Sequence, residues 1–190
     1  LGSMLAIAAK KLNIKTVILS DDIDAPAQNF CTEFISGNYD DQQKVTDFIN
    51  LVDIVTYEFE NIPYETLNEI NKLKPVLPKP SVNRLIQHRL AEKDFINKLN
   101  IRTTQYVSIE KKSDIEALED FLPGILKTTT LGYDGKGQHP ISSSKKLNSI
   151  NLDFSKGYIL EKMVKLKKEI SIVITRFNNN KYEIYEPIEN

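Results

Sequence analysis

The chain has 190 residues, 25 lysines and arginines against 26 aspartates and glutamates, and one cysteine. That length allows one large or two small domains with a sizeable core. A net charge of -1 gives no general basic field for nucleic acid, and Cys31 alone excludes an intrachain disulfide and favours the cytoplasm. No apolar run approaches the ~18 residues of a membrane span, and the start is no signal peptide, so no membrane partner is expected.

Leu1, Met4, Leu5, Ile7, Ala8, Ala9 and Leu12 form an apolar helical pattern that feeds a strand at Thr16 to Leu19. A helix in that position normally follows an earlier strand of a βαβ unit, so a first strand is expected to be missing. The acids Asp21, Asp22 and Asp24 at the strand exit could hold a ribose in a dinucleotide enzyme, but the fingerprint glycines do not accompany them. Phe34-Ile35 predicts a short strand, Asp41 to Leu51 a helix, and Ile54 to Tyr57 a third strand ending in Glu58-Phe59-Glu60-Asn61. Pro63 fits a first helical position before Leu67 and Ile70. The result is a small parallel α/β unit of Rossmann-like type, with its ligand crevice at the strand C-terminal ends where Glu58 and Glu60 lie. The two acids alternate across the strand, so one of them at most faces a ligand. A pair of acids favoured by a helix dipole explains them equally well.

Pro75, Pro78 and Pro80 break the periodicity and divide the chain into residues 1–80 and 81–190. Ser81 is expected to cap a helix, and a second helix takes in Leu90 to Leu99. His88 reads as a surface or capping residue. Tyr106 to Ser108 predicts a strand, Asp114 to Phe121 a helix and Ile125 to Lys127 a strand. Further strands are expected at Gln138 to Ile141, Tyr158 to Glu161, Ile170 to Thr175 and Lys181 to Tyr185. Alternation from Glu169 to Ile174 predicts a sheet with one buried face. Lys162, Lys165, Lys167 and Lys168 read as a solvated face.

Between two of these strands, Leu126 to Gln138 carries Lys127, three threonines, and then Gly132, Gly135 and Gly137. Glycines let backbone N–H groups approach a polyphosphate closely, and Lys127 adds a cation beside them. A hairpin tip at Asp134-Gly135 explains the same glycines equally well. Neither the P-loop nor the dinucleotide fingerprint is matched.

Gly132-Tyr133-Asp134-Gly135-Lys136-Gly137-Gln138 after a strand lysine resembles the signature of the 5-(carboxyamino)imidazole ribonucleotide synthetases, ATP-grasp ligases of purine biosynthesis. Tyr57-Glu58-Phe59-Glu60-Asn61-Ile62-Pro63 is similar to a second, earlier stretch of that family. The resemblance implies a Rossmann-like unit followed by the first half of an ATP-grasp fold. It also implies carboxylation of 5-aminoimidazole ribonucleotide with bicarbonate and ATP, in a cytoplasmic homodimer. ATP would be held by Arg89, Lys127, Gly132 to Gln138 (Gly132, Tyr133, Asp134, Gly135, Lys136, Gly137, Gln138), the adenine hinge Glu161, Lys162, Met163 and Val164, and the ribose acid Glu169. Tyr133, Asp134 and Lys136 would serve the reaction on a closing lid. Leu1-Gly2 matches the end of a family turn whose helix N-terminus suits phosphate, so Gly2 and Glu58 are implied for the ribonucleotide. The family's acidic Mg2+ ligands, a further histidine and its ribonucleotide-binding lysine and arginine would lie beyond residue 190. His88 stands where the family has aspartate, Leu131 where it commonly has glycine and Thr130 where it often has arginine, which puts some of the lid's contacts in question. Another ATP-grasp carboxylase, a formate-using transformylase or a nucleotide-binding module without turnover shares most of these features.

Overall fold

The computed structural model describes residues 1–115, 118–132, 137–177 and 180–190. Helix α1 (Gly2–Lys11) leads to strand β1 (Val17–Ser20), which pairs in parallel with β2 (Glu33–Ser36) in the register Val17 to Glu33. Helix α2 (Gln42–Asn50) starts where the Asp41 carboxylate accepts hydrogen bonds from the N–H groups of Gln43 and Lys44 at 3.0 and 3.1 Å. Helix α3 (Tyr64–Leu73) has Pro63 at its N-cap, one place before the first helical position expected of it, with no side-chain capping bond. The side chains of Val45, Phe48, Ile49, Leu67 and Ile70, spaced at helical intervals, close on Val55 and Val76 as one aliphatic core.

The third parallel strand expected at Ile54 to Tyr57 is reduced to one bridge between Val55 and Val76. Val55 donates to the Pro75 carbonyl and accepts from the Leu77 N–H, and the prolines on either side have no N–H with which to extend the ladder. α1 differs from expectation too: Ala6 is buried while Met4, Leu5 and Leu12 lie in solvent.

Helix α4 (Pro80–Ile86) begins at Pro80, whose fixed φ suits a first turn, so Ser81 sits inside the helix and does not cap it. The Asn83 and Gln87 side chains donate to the Ile62 carbonyl and Gln87 also to that of Glu60, tying α4 to the end of the preceding unit. Helix α5 (Arg89–Lys98) is capped by His88, whose Nδ1 accepts from the Ala91 N–H at 3.4 Å, in agreement with its expected capping role.

Strands β3 (Tyr106–Ile109), β4 (Gly124–Thr128), β5 (Gln138–Ile141) and β6 (Tyr158–Lys162) form an antiparallel sheet in the order β3-β6-β4-β5. Alternation assigns the two faces. Ile109, Leu126, Tyr158 and Leu160 point to one side, where Leu118, Ile141 and Leu147 of helix α6 (Ser144–Asn148) complete a second core. The opposite face carries Tyr106, Lys127, Ile159 and Glu161.

The helix expected from Asp114 to Phe121 is two short 3-10 turns, Lys112–Ile115 and Glu119–Phe121, with residues 116–117 outside the described structure. Asp114 accepts from the N–H groups of Glu110 and Lys111, a local turn that competes with an α-helical start. Beyond β6, the strand expected from Ile170 to Thr175 splits into β7 (Ile170–Ser171) and β8 (Ile174–Arg176), paired with β10 (Ile188–Glu189) and β9 (Tyr182–Ile184) respectively. Its alternating apolar residues are not buried: Ile170, Ile172 and Ile174 are 60, 48 and 59% exposed. No helix among the described residues is long and apolar enough to cross a membrane.

Candidate functional site

The site grows out of the polar face of the four-stranded sheet. In the ladder Ile125 opposes Glu161, and Lys127 opposes Ile159 on one side and Gln138 on the other. Lys127 therefore projects from the same face as Glu161, at the mouth of the loop joining β4 to β5. Its Nζ lies 2.7 Å from Glu161 Oε2. From α5, which lies over this face, Lys93 brings its Nζ to 3.2 Å from the other oxygen, Oε1. Side-chain exposures of 15% for Lys93, 17% for Lys127 and 9% for Glu161 leave the carboxylate buried and the two lysines partly buried around it. Burial pushes the Glu161 carboxyl up, but the hydrogen bond and charge of Lys127, joined by Lys93, outweigh it and hold the group below its ordinary value. At the Glu161 carboxylate itself, two ammonium groups face one negative charge. Such a face suits an anion.

Lys93 is held by two groups, the Glu161 carboxylate and the Tyr106 ring. Its ammonium stands 5.4 Å from the Tyr106 ring centroid, and the Tyr106 hydroxyl donates to Asp94 Oδ1 at 2.6 Å and accepts from Asn97 Nδ2 at 3.1 Å. Glu92, on the same helix and half-buried, is displaced in the opposite direction from Glu161. Burial raises its carboxyl first, Glu60 and Glu161 add to that, and Arg89 and Lys93 offset it in part.

Arg89 opens α5 and reaches the loop. Its backbone N–H donates to the Thr129 carbonyl at 2.9 Å, its guanidinium Nη2 donates to the Gly132 carbonyl, and its buried Nε has no partner among the described residues. On the far side of the loop Gly137 takes φ +69°, and its carbonyl accepts from the Thr128 N–H at 3.2 Å. A Cβ there would lie 3.0 Å from Thr128 Oγ1, so this position needs glycine on both counts. Leu131, in place of the family's glycine, also has positive φ, at 58°. The connection does join two antiparallel strands, so the hairpin reading holds for its topology. Tyr133, Asp134, Gly135 and Lys136 lie outside the described residues.

Past β6 the chain turns outward. The Lys162 N–H donates to the Gln105 carbonyl at 2.9 Å, the Lys162 carbonyl accepts from Thr104 Oγ1 at 2.8 Å, and the Met163 N–H donates to the Pro123 carbonyl at 2.8 Å. These bonds fix the segment while the Met163 carbonyl and the Val164 N–H keep no partner among the described residues. Lys162, Lys165, Lys167, Lys168 and Glu169 are exposed, as a solvated face requires. Lys168 makes a surface pair with Glu189.

Of the residues implied for the ribonucleotide, Gly2 and Glu58 do come together. A Cβ built on Gly2 would lie 3.7 Å from Glu58 Oε1. Among the described residues no three His, Cys, Asp or Glu side chains group as a metal site. Glu161 was expected as part of the adenine hinge, and Lys93 is not among the residues that the resemblance implies. The available signal was the helical i, i+4 spacing from Arg89, which places Lys93 on the face that Arg89 presents.

Residues 94–190 match the ATP-grasp domain family, and residues 1–87 match the ribonucleotide synthetase preATP-grasp domain. The chain belongs to the ATP-grasp family. Its relatives narrow the class. It is 33% identical to the N5-carboxyaminoimidazole ribonucleotide synthase of Staphylococcus aureus (strain COL), over 100% of this chain and 52% of that protein. It is 36% identical to the bifunctional purine synthesis protein purC/E of Dictyostelium discoideum, over 93% of this chain and 18% of that one. The crystal structure of N5-carboxyaminoimidazole synthetase from Staphylococcus aureus complexed with ADP superposes with a TM-score of 0.92 at 33% identity, over 100% of this chain and 52% of the other. The chain spans about half the length of the bacterial relatives it matches.

Proposed function

We propose that the whole protein uses ATP and bicarbonate to carboxylate the amine of 5-aminoimidazole ribonucleotide in purine biosynthesis, and that this chain supplies its nucleotide face. The supporting observation is the pair of partly buried lysines on one buried carboxylate, set at the mouth of a glycine loop. A positive charge in the interior is costly unless an anion completes it.

Phosphoryl transfer asks the protein mainly for positioning and charge neutralisation. Lys127 would bind phosphate oxygens, with Arg89 Nε beside the loop as a second donor. The Met163 carbonyl and Val164 N–H would receive the adenine edge, and Glu169 the ribose hydroxyls. A bicarbonate oxygen attacks the terminal phosphorus, displacing ADP and giving carboxyphosphate. The amine of the ribonucleotide then attacks its carbon, phosphate leaves, and a proton is lost from nitrogen. Tyr133, Asp134 and Lys136 on the loop would face that second step and shield it from water. Gly2 and Glu58 would contact the ribonucleotide. Magnesium would accompany ATP. The division into residues 1–80 and 81–190, with α4 bridging the two, a homodimeric assembly and a cytoplasmic location belong to the same proposal.

The test is phosphate release by the full-length protein. It should require bicarbonate and rise when aminoimidazole ribonucleotide is added, and Asp134→Asn should lower turnover while ADP affinity holds. Stimulation by formate in place of bicarbonate would point to a transformylase. No substrate-stimulated release at all would overturn the reading.

A further inference from the structure

The cluster holds one more lysine than the phosphate contact needs. Lys127 has Glu161 as its ion-pair partner, at 2.7 Å, and lies next to the loop. Lys93 occupies the other carboxylate oxygen and is braced by the Tyr106 ring, which Asp94 and Asn97 fix in turn. The two lysines are thus unequal: one is built in, and the other is held by a single charge.

We infer that Lys93 is a positioning residue for the nucleotide, which neutralises the Glu161 carboxylate so that Lys127 can leave it for phosphate oxygens. This rests on the nucleotide reading above. When a phosphate takes Lys127, Glu161 keeps a counter-ion at Oε1 and remains a satisfied buried anion. Without Lys93, the pair Lys127–Glu161 becomes one-to-one, and any phosphate must compete with a buried carboxylate that has no other partner. The carboxylate then acts as a lock on the lysine. Lys93 itself does not touch the ligand in this arrangement, because its ammonium stays over Tyr106.

Four forms of the full-length protein test this by titration with ADP and, separately, with adenosine: wild type, Lys93→Met, Lys93→Arg and the double variant Lys93→Met/Glu161→Gln. Lys93→Met should weaken ADP about tenfold or more, the loss expected when a charge-assisted contact is compromised, while adenosine binding is unchanged. Lys93→Arg should stay within about threefold of wild type, because it keeps the charge. The double variant removes both the lock and its counter-ion, keeps the net charge of the cluster, and should recover ADP affinity to within about threefold. An unchanged ADP affinity in Lys93→Met would overturn the inference, as would an equal loss for adenosine. A double variant as weak as the single one would also overturn it, because Lys93 would then act on the ligand directly. Should Lys93→Met not fold, Lys93→Gln, which keeps a hydrogen-bond donor near Oε1, is used with the same expected signs. Wild-type protein that binds no ADP would instead overturn the nucleotide reading, an outcome visible before any variant is made.

Discussion

The two cores are built from the same aliphatic residues but differ in what lies behind them. The N-terminal core packs Val45, Phe48, Ile49, Leu67 and Ile70 against Val55 and Val76 without a buried ion. The central sheet packs Leu126, Leu160 and Ile109 on one face and buries the Glu161 carboxylate on the other. An apolar face lowers free energy by leaving water, whereas a buried ion pair does little better than break even against its desolvation. The first core therefore accounts for itself through stability. The second requires a reason beyond stability, and the proposed anionic ligand of its two lysines would supply one.

The largest expected effect tests that contrast directly. Leu67→Ala and Leu160→Ala each remove a side chain that is almost wholly buried, and each should cost about 2–5 kcal/mol in chemical denaturation. Only Leu160→Ala, next to Glu161 on β6, should also weaken ADP at temperatures where the variant remains folded. Equal loss of ADP affinity in both would dissolve the distinction between the cores.

Next in size is the proposed phosphate contact. Lys127→Ala should weaken ADP by about 1.5–3 kcal/mol, and Lys167→Ala, out in solvent, should leave it unchanged. Calorimetric titration that finds the two variants alike would remove Lys127 from the site.

Leu131 sharpens the comparison from the loop side. A left-handed backbone costs a residue with a Cβ about 1–2 kcal/mol, and glycine loses part of that gain through a more flexible unfolded chain. Leu131→Gly should therefore raise stability by up to about 1 kcal/mol, because the side chain is 74% exposed and contributes little packing. A lower melting temperature would mean that Leu131 makes contacts that outweigh its backbone strain.

Local chemistry made much of this legible from sequence. α2, α3 and α5 follow helical apolar spacing, with Asp41 and His88 capping the first and the last, and β1, β2 and the four strands of the central sheet fall on the stretches that predict them. Errors arose where hydrogen-bond partners decide the outcome. Val55 cannot show from sequence that its ladder ends between prolines, and Asp114 gives no sign that its carboxylate will bind two nearby N–H groups. The glycine loop and Lys127 stood out because their residue types are distinctive. Lys93 did not, because a helix lysine is ordinarily solvated, and only the packing of α5 over the sheet brings it within 3.2 Å of Glu161.

The smallest effect concerns pH, where Glu161 and the neighbouring Glu92 pull in opposite directions. Glu161 has its carboxyl held below the ordinary value once the lysines have outweighed burial. Its contribution is therefore complete above the ordinary glutamate range and is lost as pH falls through the lowered folded value. Glu92 has its carboxyl raised by burial and by Glu60 and Glu161, against Arg89 and Lys93. For that group the folded state holds the proton more tightly, so its contribution is present in acid and is lost as pH rises through the raised value. Near neutrality Glu92 is thus the one of the two that opposes folding, and Glu92→Gln should raise the melting temperature there by about 1–2 °C, in line with a fraction of a kcal/mol for a chain of this size. The gain should shrink as the pH is lowered into the range where Glu92 is protonated in the wild type. A gain of the same size at every pH would trace it to packing or propensity, and a loss at neutral pH would show that Arg89 and Lys93 draw more from the Glu92 charge than its burial costs.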